Sequence, residues 1–455
     1  MSPRPGETRS PTPPSPAPSS PLAGVGIGWR PELAGFAARR DGLGFAEVVA
    51  ESIHDGQPLP DGLAALLARG VPVVPHGVRL SLGSAEEPDP ARVARLAGLA
   101  ERLAAPLVSE HVAFVRGGGL EAGHLLPVPR TREALDALAG NVRLAQAELP
   151  VPLALEHVAA LLEWPAPELD EAAFLTELLE RTGAWLLLDV ANLYANARNH
   201  GGDPLAFLDA LPLERIAYVH VAGGVERDGL YPRHPCPPDP TRRPRPGRQG
   251  LRPIHRGTTL AVPETPPPRP ARDHAGARRR LPARARAGRG AGRHRRRHPR
   301  RSDPRVNRER LAAEQAALVR ALVDGGPVPG GFDPERVRAT SRARLRARAA
   351  EVARAWPGLA TELGPAFTQL FLGNAARRPP PAQGGALADG LAFADALARQ
   401  GRLPDSARVE RLAARAHLST RPVRLAATLT GSPRRLVVTV RAPGLGERWL
   451  SLPLG

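Results

Sequence analysis

From residue 23 to about residue 231, the chain alternates short apolar runs with longer amphipathic segments. The apolar runs cover residues 25–28, 45–50, 71–75, 105–109, 151–155, 185–188 and 216–219. The segments between them repeat their apolar residues with helical spacing, most clearly at 89–103, 131–147 and 171–182. Strands that alternate with helices predict a parallel sheet with crossover helices. Seven strands in succession favour an α/β fold of the (β/α)8 TIM-barrel type over an open sheet.

The alternation stops at residue 231, and regular patterns return near residue 306. Residues 231–303 have no apolar periodicity and consist mainly of Arg, Pro, Ala and Gly. The barrel is therefore predicted to be incomplete after its seventh strand, with an unpaired edge. Helical patterns recur at 308–323, 333–355, 359–372, 387–399 and 405–416. Two β-type runs, 423–429 and 436–440, flank a turn at 431–434 and predict a terminal hairpin.

These changes divide the chain into four parts. Residues 1–22 are rich in Pro and Ser and are predicted to be a disordered leader. Residues 23–231 form the predicted barrel, and residues 232–305 form an Arg/Pro-rich segment. Residues 306–455 form a mostly helical domain that ends in the hairpin.

The net charge of +18 comes almost entirely from the Arg/Pro-rich segment. Residues 231–300 contain 20 Arg against Asp239, Glu264 and Asp273, a net charge of +17. Beyond Tyr231, this segment has no Phe, Trp or Tyr that could stack on a base. We therefore do not expect a nucleic-acid partner. A basic insert that binds nucleic acid by counterion release stays as the weaker alternative.

The single cysteine, Cys236, allows no internal disulfide. This favours a reducing, cytoplasmic compartment. The sequence contains no run of 18 apolar residues, so no membrane span is predicted.

Polar residues stand at the ends of several apolar runs. They are His76, Glu110, His111, Glu156, Asp189, Asn192 and His220. In a parallel barrel, the carboxyl ends of the strands meet at one mouth, where active sites are built. Imidazole and carboxylate groups that converge there predict a site for Fe, Mn or Zn. One such His is more often a capped or solvated residue, so the prediction depends on their recurrence.

Longer motifs around these residues resemble those of the multinuclear non-heme iron-dependent oxidases. The motifs are Gly-Val-Gly-Ile-Gly-Trp-Arg-Pro-Glu at 24–32, Pro-His-Gly-Val at 75–78, Ser-Glu-His at 109–111, Asp-Val-Ala-Asn-Leu-Tyr at 189–194 and Val-His-Val-Ala-Gly-Gly at 219–224. These enzymes are relatives of the methanobactin-biosynthesis oxidase. They are also grouped as domain of unknown function 692 and uncharacterised protein family 0276. The resemblance covers about 23–231.

The resemblance implies two or three irons at the barrel mouth. Carried over by motif, the metal ligands would be His76, His111, Glu156, Asp189, Asn192 and His220. Glu51 and Glu110 would lie behind these ligands and orient imidazoles. One departure is His157, where the family usually has Asn. The implied reaction uses dioxygen to oxidise cysteine residues of a ribosomally synthesised precursor peptide.

The resemblance fails immediately after the seventh strand. The family continues with Tyr-His-Asp-Thr-His-Ala-His-Pro, whereas residues 231–238 read Tyr-Pro-Arg-His-Pro-Cys-Pro-Pro. Those residues can be encoded as TAC CCA CGA CAC CCA TGC CCA CCC. Deletion of one C after TAC gives TAC CAC GAC ACC CAT GCC CAC CC, which translates as the family motif. We therefore hypothesise a frameshift near Tyr231, corrected near 300–306. Without an Asp and a His from this motif, the metal cluster is expected to be incomplete, and the chain as written is expected to have little activity.

Residues 310–420 resemble the helical domain of partner proteins that accompany these oxidases. A fused partner would dock the peptide substrate, and the alternative is an unrelated helical bundle. For the whole chain, the alternative function is a divalent-metal barrel of the sugar-isomerase or endonuclease type, because such barrels share strand-end His, Glu and Asp. The reaction is implied by the resemblance alone, since a fold does not fix chemistry.

Overall fold

A computed structural model describes residues 20–223, 258–261, 304–376, 378–381, 384–418, 424–430, 435–442 and 446–453. Seven parallel strands form most of a closed barrel in the order β1-β2-β3-β4-β7-β8-β9. These strands are β1 (Val25–Gly28), β2 (Phe45–Val49), β3 (Val73–His76), β4 (Val108–His111), β7 (Leu153–Glu156), β8 (Trp185–Asp189) and β9 (Ile216–Val221). Between β4 and β7, an antiparallel hairpin of β5 (Ala113–Gly117) and β6 (Leu120–Pro127) extends from the mouth. The predicted barrel architecture is confirmed, whereas the hairpin was not predicted.

Helices follow most of the barrel strands. They are α1 (Ala34–Arg39), α2 (Asp61–Ala68), α3 (Pro90–Arg102), α4 (Arg132–Glu148), α5 (Glu171–Thr182), α6 (Val190–His200) and α7 (Pro204–Ala210). Five of these helices begin at a residue whose side-chain oxygen accepts a hydrogen bond from an amide of the first turn. These N-cap residues are Asp89, Thr131, Asp170, Asp189 and Asp203. Among the described residues, no helix combines the length and apolar character that crossing a bilayer requires.

The strands are buried on both faces, as parallel barrel strands are. On β8, Trp185 and Leu187 point into the barrel, and Leu186 and Leu188 pack towards the helices. The first strand needs glycine because a Cβ on Gly26 would lie 2.5 Å from the ring of Phe45, which fills the barrel interior. Because side chains alternate, Asp189 at the end of β8 shares the inward face with Trp185 and Leu187.

The barrel is closed by an eighth strand, β10 (Thr258–Ala261), which comes from the Arg/Pro-rich segment. Thr258 pairs with Val221 on β9 and with Ile27 on β1, in both cases antiparallel. The prediction of an unpaired edge was therefore wrong, because β10 pairs with both edge strands. The parallel part of the sheet does end after seven strands. A regular (β/α)8 barrel has a parallel strand at this place.

The C-terminal domain is helical and ends in a small sheet. Its elements are α8 (Pro304–Val323), α9 (Pro334–Ala355), α10 (Pro357–Leu363), α11 (Ala366–Ala375), α12 (Gly385–Arg399), α13 (Asp405–Leu418), β11 (Arg424–Thr430), β12 (Arg435–Ala442) and β13 (Gly446–Pro453). The helix expected at 359–372 is divided at Gly364, whose φ is +50°, and Pro365. The expected terminal hairpin gains β13 as a third antiparallel strand.

The two domains are joined by a shared apolar cluster. Trp164 of the barrel packs edge-on against Phe332 with ring centroids 5.0 Å apart, and Phe114 and Leu126 of the β5–β6 hairpin join Leu318 of α8. The predicted helical domain thus covers the hairpin at the barrel mouth.

Gln315 on α8 makes a polar connection to the same mouth. Its Oε1 accepts a hydrogen bond from the Ala85 amide, and its Nε2 donates to the Gly83 carbonyl, both at 2.8 Å. Arg308 donates to the Ala85 carbonyl and to Asn141. The C-terminal domain therefore holds the loop that follows β3.

The end of the predicted disordered leader packs on the barrel. Leu22 is buried in the barrel interior, and the Ser20 hydroxyl donates to the Ala217 carbonyl at 2.6 Å. Ser20 and Leu22, at the end of the predicted leader, thus contact the barrel. Residues 1–19 lie outside the described ranges.

We expect Gln315→Glu to lower the free energy of unfolding by about 1–3 kcal/mol. A glutamate keeps the acceptor for Ala85 but sets a buried carboxylate against the Gly83 carbonyl. Chemical denaturation of the full chain measures the change. Glu309→Gln is the matched control, because it exchanges the same two side chains at an exposed position of α8. Equal effects of the two substitutions would contradict the proposed role of Gln315.

Candidate metal centre

Strand register places the candidate ligands side by side at the carboxyl end of the barrel. His111 pairs with Glu156 across β4 and β7, and Asp189 pairs with His220 across β8 and β9. His76 ends β3, beside β4. Since all five side chains are on the inward-facing side of their strands, they converge inside the mouth.

Glu156 lies at the centre of this cluster and belongs to two groups of potential metal ligands. Its Oε2 lies 3.5 Å from Nε2 of His76 and 3.2 Å from Nε2 of His111. Its Oε1 lies 3.6 Å from Nδ1 of His220, and that nitrogen lies 3.5 Å from Oδ2 of Asp189. Within each group, the ligand atoms lie within 4.8 Å of one another. The geometry allows Glu156 to bridge two ions, one in each group.

The second ring nitrogen of each imidazole is held by a neighbouring oxygen. The contacts are His76 Nδ1 to Ser109 Oγ at 2.8 Å, His111 Nδ1 to the Gly77 carbonyl at 3.1 Å, and His220 Nε2 to Glu47 Oε2 at 2.8 Å. Such contacts fix the orientation of a ring and direct its other nitrogen towards the place where a metal ion could be held. In all three rings, that other nitrogen is the one that faces Glu156.

Asn192 reaches the cluster through its amide group. Its Nδ2 donates to Glu156 Oε1 at 3.0 Å and to the His157 carbonyl at 2.7 Å. Its Oδ1 is buried and has no hydrogen-bond partner among the described residues. A buried amide oxygen of this kind offers one more donor to a metal ion.

The two glutamates predicted to lie behind the ligands have different roles. Glu110 Oε1 lies 3.3 Å from His111 Nδ1, so Glu110 can orient this imidazole. Glu51 accepts a hydrogen bond from the Val78 amide at 3.0 Å and so holds the loop after β3. Burial, together with the negative charge of Glu110, raises the pKa of Glu51.

The buried carboxylates of the site stabilise positive charge on the groups beside them. Burial alone would raise the pKa of Glu156, but His111 and His220 outweigh it and hold the pKa well below its usual range. Burial alone would lower the pKa of His111, but Glu156 and Glu110 raise it to about 10. Burial lowers the pKa of His76 to about 4, although Glu47 partly opposes this effect. Either protons or metal cations therefore balance these carboxylates.

The residues fit a metal centre by donor chemistry and by geometry. Three imidazole nitrogens and the carboxylates of Glu156 and Asp189 are all buried, and the nitrogens face the carboxylates without intervening side chains. The buried Glu156 Oε2 faces Nε2 of His76 at 3.5 Å and Nε2 of His111 at 3.2 Å, and a buried carboxylate oxygen is stable only beside a cation, either a protonated imidazole or a metal ion. Nitrogen and oxygen donors of this kind suit Fe, Mn and Zn.

Comparison with known proteins identifies the family. A UPF0276 protein of Streptomyces avermitilis is 44% identical over 442 residues, an alignment that covers 86% of this chain and 90% of that protein. The chain belongs to the UPF0276 family. A UPF0276 protein of Chromobacterium violaceum is 41% identical over 211 residues, 46% of this chain and 76% of the relative. The resemblance inferred from the motifs is thereby confirmed.

Two family models match separate parts of this UPF0276 chain. Residues 24–235 match the model described as RiPP precursor modification enzyme MbnB/TglH/ChrH. Residues 312–399 match the model of an SCO6045-like C-terminal domain. Among solved structures, an L-ribulose 3-epimerase is 22% identical, with a TM-score of 0.27, over 38% of this chain and 62% of that chain.

The sequence motifs assigned no role at the site to three polar residues inside the UPF0276 barrel. Glu47, Ser109 and Tyr218 are buried in the layer below the candidate ligands. Each stands two residues from an inward-facing position: Glu47 follows Phe45, Ser109 precedes His111, and Tyr218 precedes His220. Side chains alternate between the two faces of a strand, so residues two positions apart share a face. This spacing could have placed all three residues inside the barrel.

We expect metal binding to the UPF0276 protein to release protons. With a pKa of about 10, His111 is protonated in the metal-free protein at pH 8, and a metal ion on Nε2 must displace that proton. Apparent affinity for Co(II) should therefore increase as the pH rises from 7 to 9. Calorimetric titration in buffers of different ionisation enthalpy measures the released protons.

His111→Ala should release about one proton fewer per bound metal. Without metal, protonated His111 stabilises the fold at low pH, and this stabilisation is lost as the pH rises from about 6.5 through about 10. The Tm of the metal-free protein should therefore decrease over this range. Co(II) binding with no proton release at pH 8 would contradict the assignment of His111 as a ligand.

Proposed function

We propose that this chain is an iron-dependent oxidase that uses dioxygen to modify cysteine residues of a ribosomally synthesised peptide. The observation that carries the proposal is the pair of ligand groups that share Glu156. Membership in the UPF0276 family and the match of 24–235 to a RiPP precursor modification model support the peptide substrate.

In the proposed centre, His76, His111 and Glu156 would hold one iron, and Glu156, Asp189 and His220 would hold a second. Asn192 would add its Oδ1. A third iron is implied by the family resemblance alone. Iron, when bound, supplies one-electron redox chemistry with dioxygen and affinity for the thiolate of a cysteine.

The protein's own residues orient and shield this centre. Ser109, Glu47 and the Gly77 carbonyl hold the outer nitrogens of the three imidazoles. The candidate ligands are less than a tenth exposed, so water has little access and their electrostatic interactions are strong. Substrate must therefore approach from the barrel mouth, the face that the C-terminal domain and the β5–β6 hairpin border.

We propose that the C-terminal domain takes the place of a separate partner protein and docks the peptide. The cluster around Trp164 and Phe332 and the hydrogen bonds of Gln315 attach this domain to the mouth. The loop to which this domain is attached begins directly after His76, the last residue of β3. This position supports a role of the domain at the site.

We expect full-length protein prepared without oxygen to bind up to two irons, one in each ligand group, and to develop a visible absorption band on exposure to air. Glu156→Gln should reduce the iron content to below one per chain, because both groups lose their shared carboxylate. Elemental analysis and absorption spectroscopy provide the readouts. Glu180→Gln makes the same substitution at an exposed position and should bind iron like the parent. Zinc or manganese without an absorption band would instead favour an isomerase- or endonuclease-type enzyme.

We further propose that residues 232–305 result from a single-base shift in the coding sequence. The family match ends at residue 235, and the second match begins at residue 312. With one permitted choice of codons, the same one-base shift turns 284–297 into Ala-Pro-Glu-Leu-Ala-Glu-Glu-Leu-Asp-Ala-Ile-Ala-Ala-Ala. In that translation, Leu, Leu and Ile recur at the i, i+4 and i+7 spacing of a helix face. Of residues 232–305, the structure describes only β10 and the first two residues of α8, 304 and 305.

Restoring the frame should increase both iron content and Tm, because an Asp and a His join the cluster and a parallel strand can close the barrel. Elemental analysis and thermal denaturation of the two chains, prepared in the same way, compare them. Unchanged iron content in the restored chain would refute the proposal. If the gene is sequenced again from independent DNA and the extra base is still present, a sequencing error is refuted as the origin of the shift.

A further inference from the structure

A continuous line of hydrogen bonds runs beneath the candidate metal centre and joins its two ligand groups. His220 Nε2 lies 2.8 Å from Glu47 Oε2, which lies 2.8 Å from the Tyr218 hydroxyl. The Tyr218 hydroxyl lies 2.7 Å from Ser109 Oγ, which lies 2.8 Å from His76 Nδ1. The line therefore begins on an imidazole of one group and ends on an imidazole of the other.

The chemistry of these groups fixes the direction of each bond. A carboxylate only accepts, so both His220 Nε2–H and the Tyr218 hydroxyl donate to Glu47. Since the single proton of Tyr218 is used there, Ser109 must donate its own proton to the Tyr218 oxygen. Ser109 Oγ can then only accept from His76 Nδ1–H. The Tyr218 hydroxyl thus selects the His76 tautomer whose Nε2 lone pair faces Glu156.

We propose that Glu47, Tyr218 and Ser109 form a bridge that positions His76 and His220 together as metal ligands. The inference depends on the metal centre proposed above. Tyr218 acts here as a positioning residue, because it touches neither the metal-facing nitrogens nor Glu156. His111 is outside the bridge, since its outer nitrogen faces the Gly77 carbonyl and Glu110.

Packing alone does not account for the hydroxyl of Tyr218. Its ring packs edge-on against Phe45 with centroids 5.7 Å apart, and a phenylalanine would make the same contact. In an otherwise apolar interior, a hydroxyl costs free energy unless it is hydrogen-bonded. Both of its hydrogen-bonding positions are used within the bridge, at Glu47 and at Ser109.

The loss of the hydroxyl has a specific consequence for His76. In Tyr218→Phe, the Ser109 proton is free to donate to His76 Nδ1. The imidazole can then carry its proton on Nε2, where it blocks the metal. Glu47 also loses one of its two donors, so the hold on His220 is weaker.

The test measures binding of Zn(II), a diamagnetic probe, to full-length protein and the 15N chemical shifts of labelled histidines. We expect Tyr218→Phe to lower Zn(II) affinity about 10- to 100-fold. In the metal-free variant, the His76 shifts should move towards the Nε2–H tautomer, while those of His111 stay unchanged. The Tm of the metal-free variant should stay close to that of the parent. Tyr194→Phe, which removes the same hydroxyl from a half-exposed tyrosine, is the control and should bind Zn(II) like the parent.

Parent-like Zn(II) affinity and an unchanged His76 tautomer in Tyr218→Phe would overturn the bridge, while metal binding by the parent would leave the proposed centre standing. Failure of the parent chain to bind Zn(II) would instead overturn the centre and the bridge together. If Tyr218→Phe does not fold, Ser109→Ala provides the same test, because it removes the acceptor of His76 and leaves Tyr218 in place. Weakened Zn(II) binding by Ser109→Ala supports the bridge, and parent-like binding overturns it.

Discussion

The charge of Glu156, buried among imidazoles at the barrel mouth, is the constraint on which the site depends. A carboxylate without solvent needs cations beside it, and this one faces the nitrogens of three histidines from two directions. In the metal-free protein, protons on His111 and His220 supply the positive charge. Glu156 and Glu110 favour the protonated form of His111, and Glu47 and Glu156 favour that of His220. A metal centre would supply the same charge and use the same atoms. The placement of the three imidazoles around Glu156 is therefore explained by electrostatics alone, whatever reaction the site supports.

Much of this site follows from the sequence because parallel strands impose simple rules. Strand ends meet at one mouth, and alternate side chains face inward, so His76, His111, Glu156, Asp189 and His220 were expected to converge. The structure brings all five together, and Asn192 joins them through the first turn of α6. Their roles as metal ligands stay a prediction.

Other features could not be read from local patterns. Glu47 and Tyr218 face each other across the barrel interior, although 171 positions separate them in the sequence. The β5–β6 hairpin has weak strand character by itself and is stabilised by α8 and Phe332 of the C-terminal domain. Gln315 bonds to a loop 230 positions earlier in the chain. Such contacts arise only when distant elements pack, so propensity and periodicity do not encode them.

Anomalous diffraction at the iron absorption edge, from crystals of the full chain loaded with iron, tests the central claim most directly. We expect two peaks on opposite sides of the Glu156 carboxylate, one beside Nε2 of His76 and His111 and the other beside Asp189 and Nδ1 of His220. Iron bound elsewhere, or no peak within coordination distance of Glu156, would contradict the account.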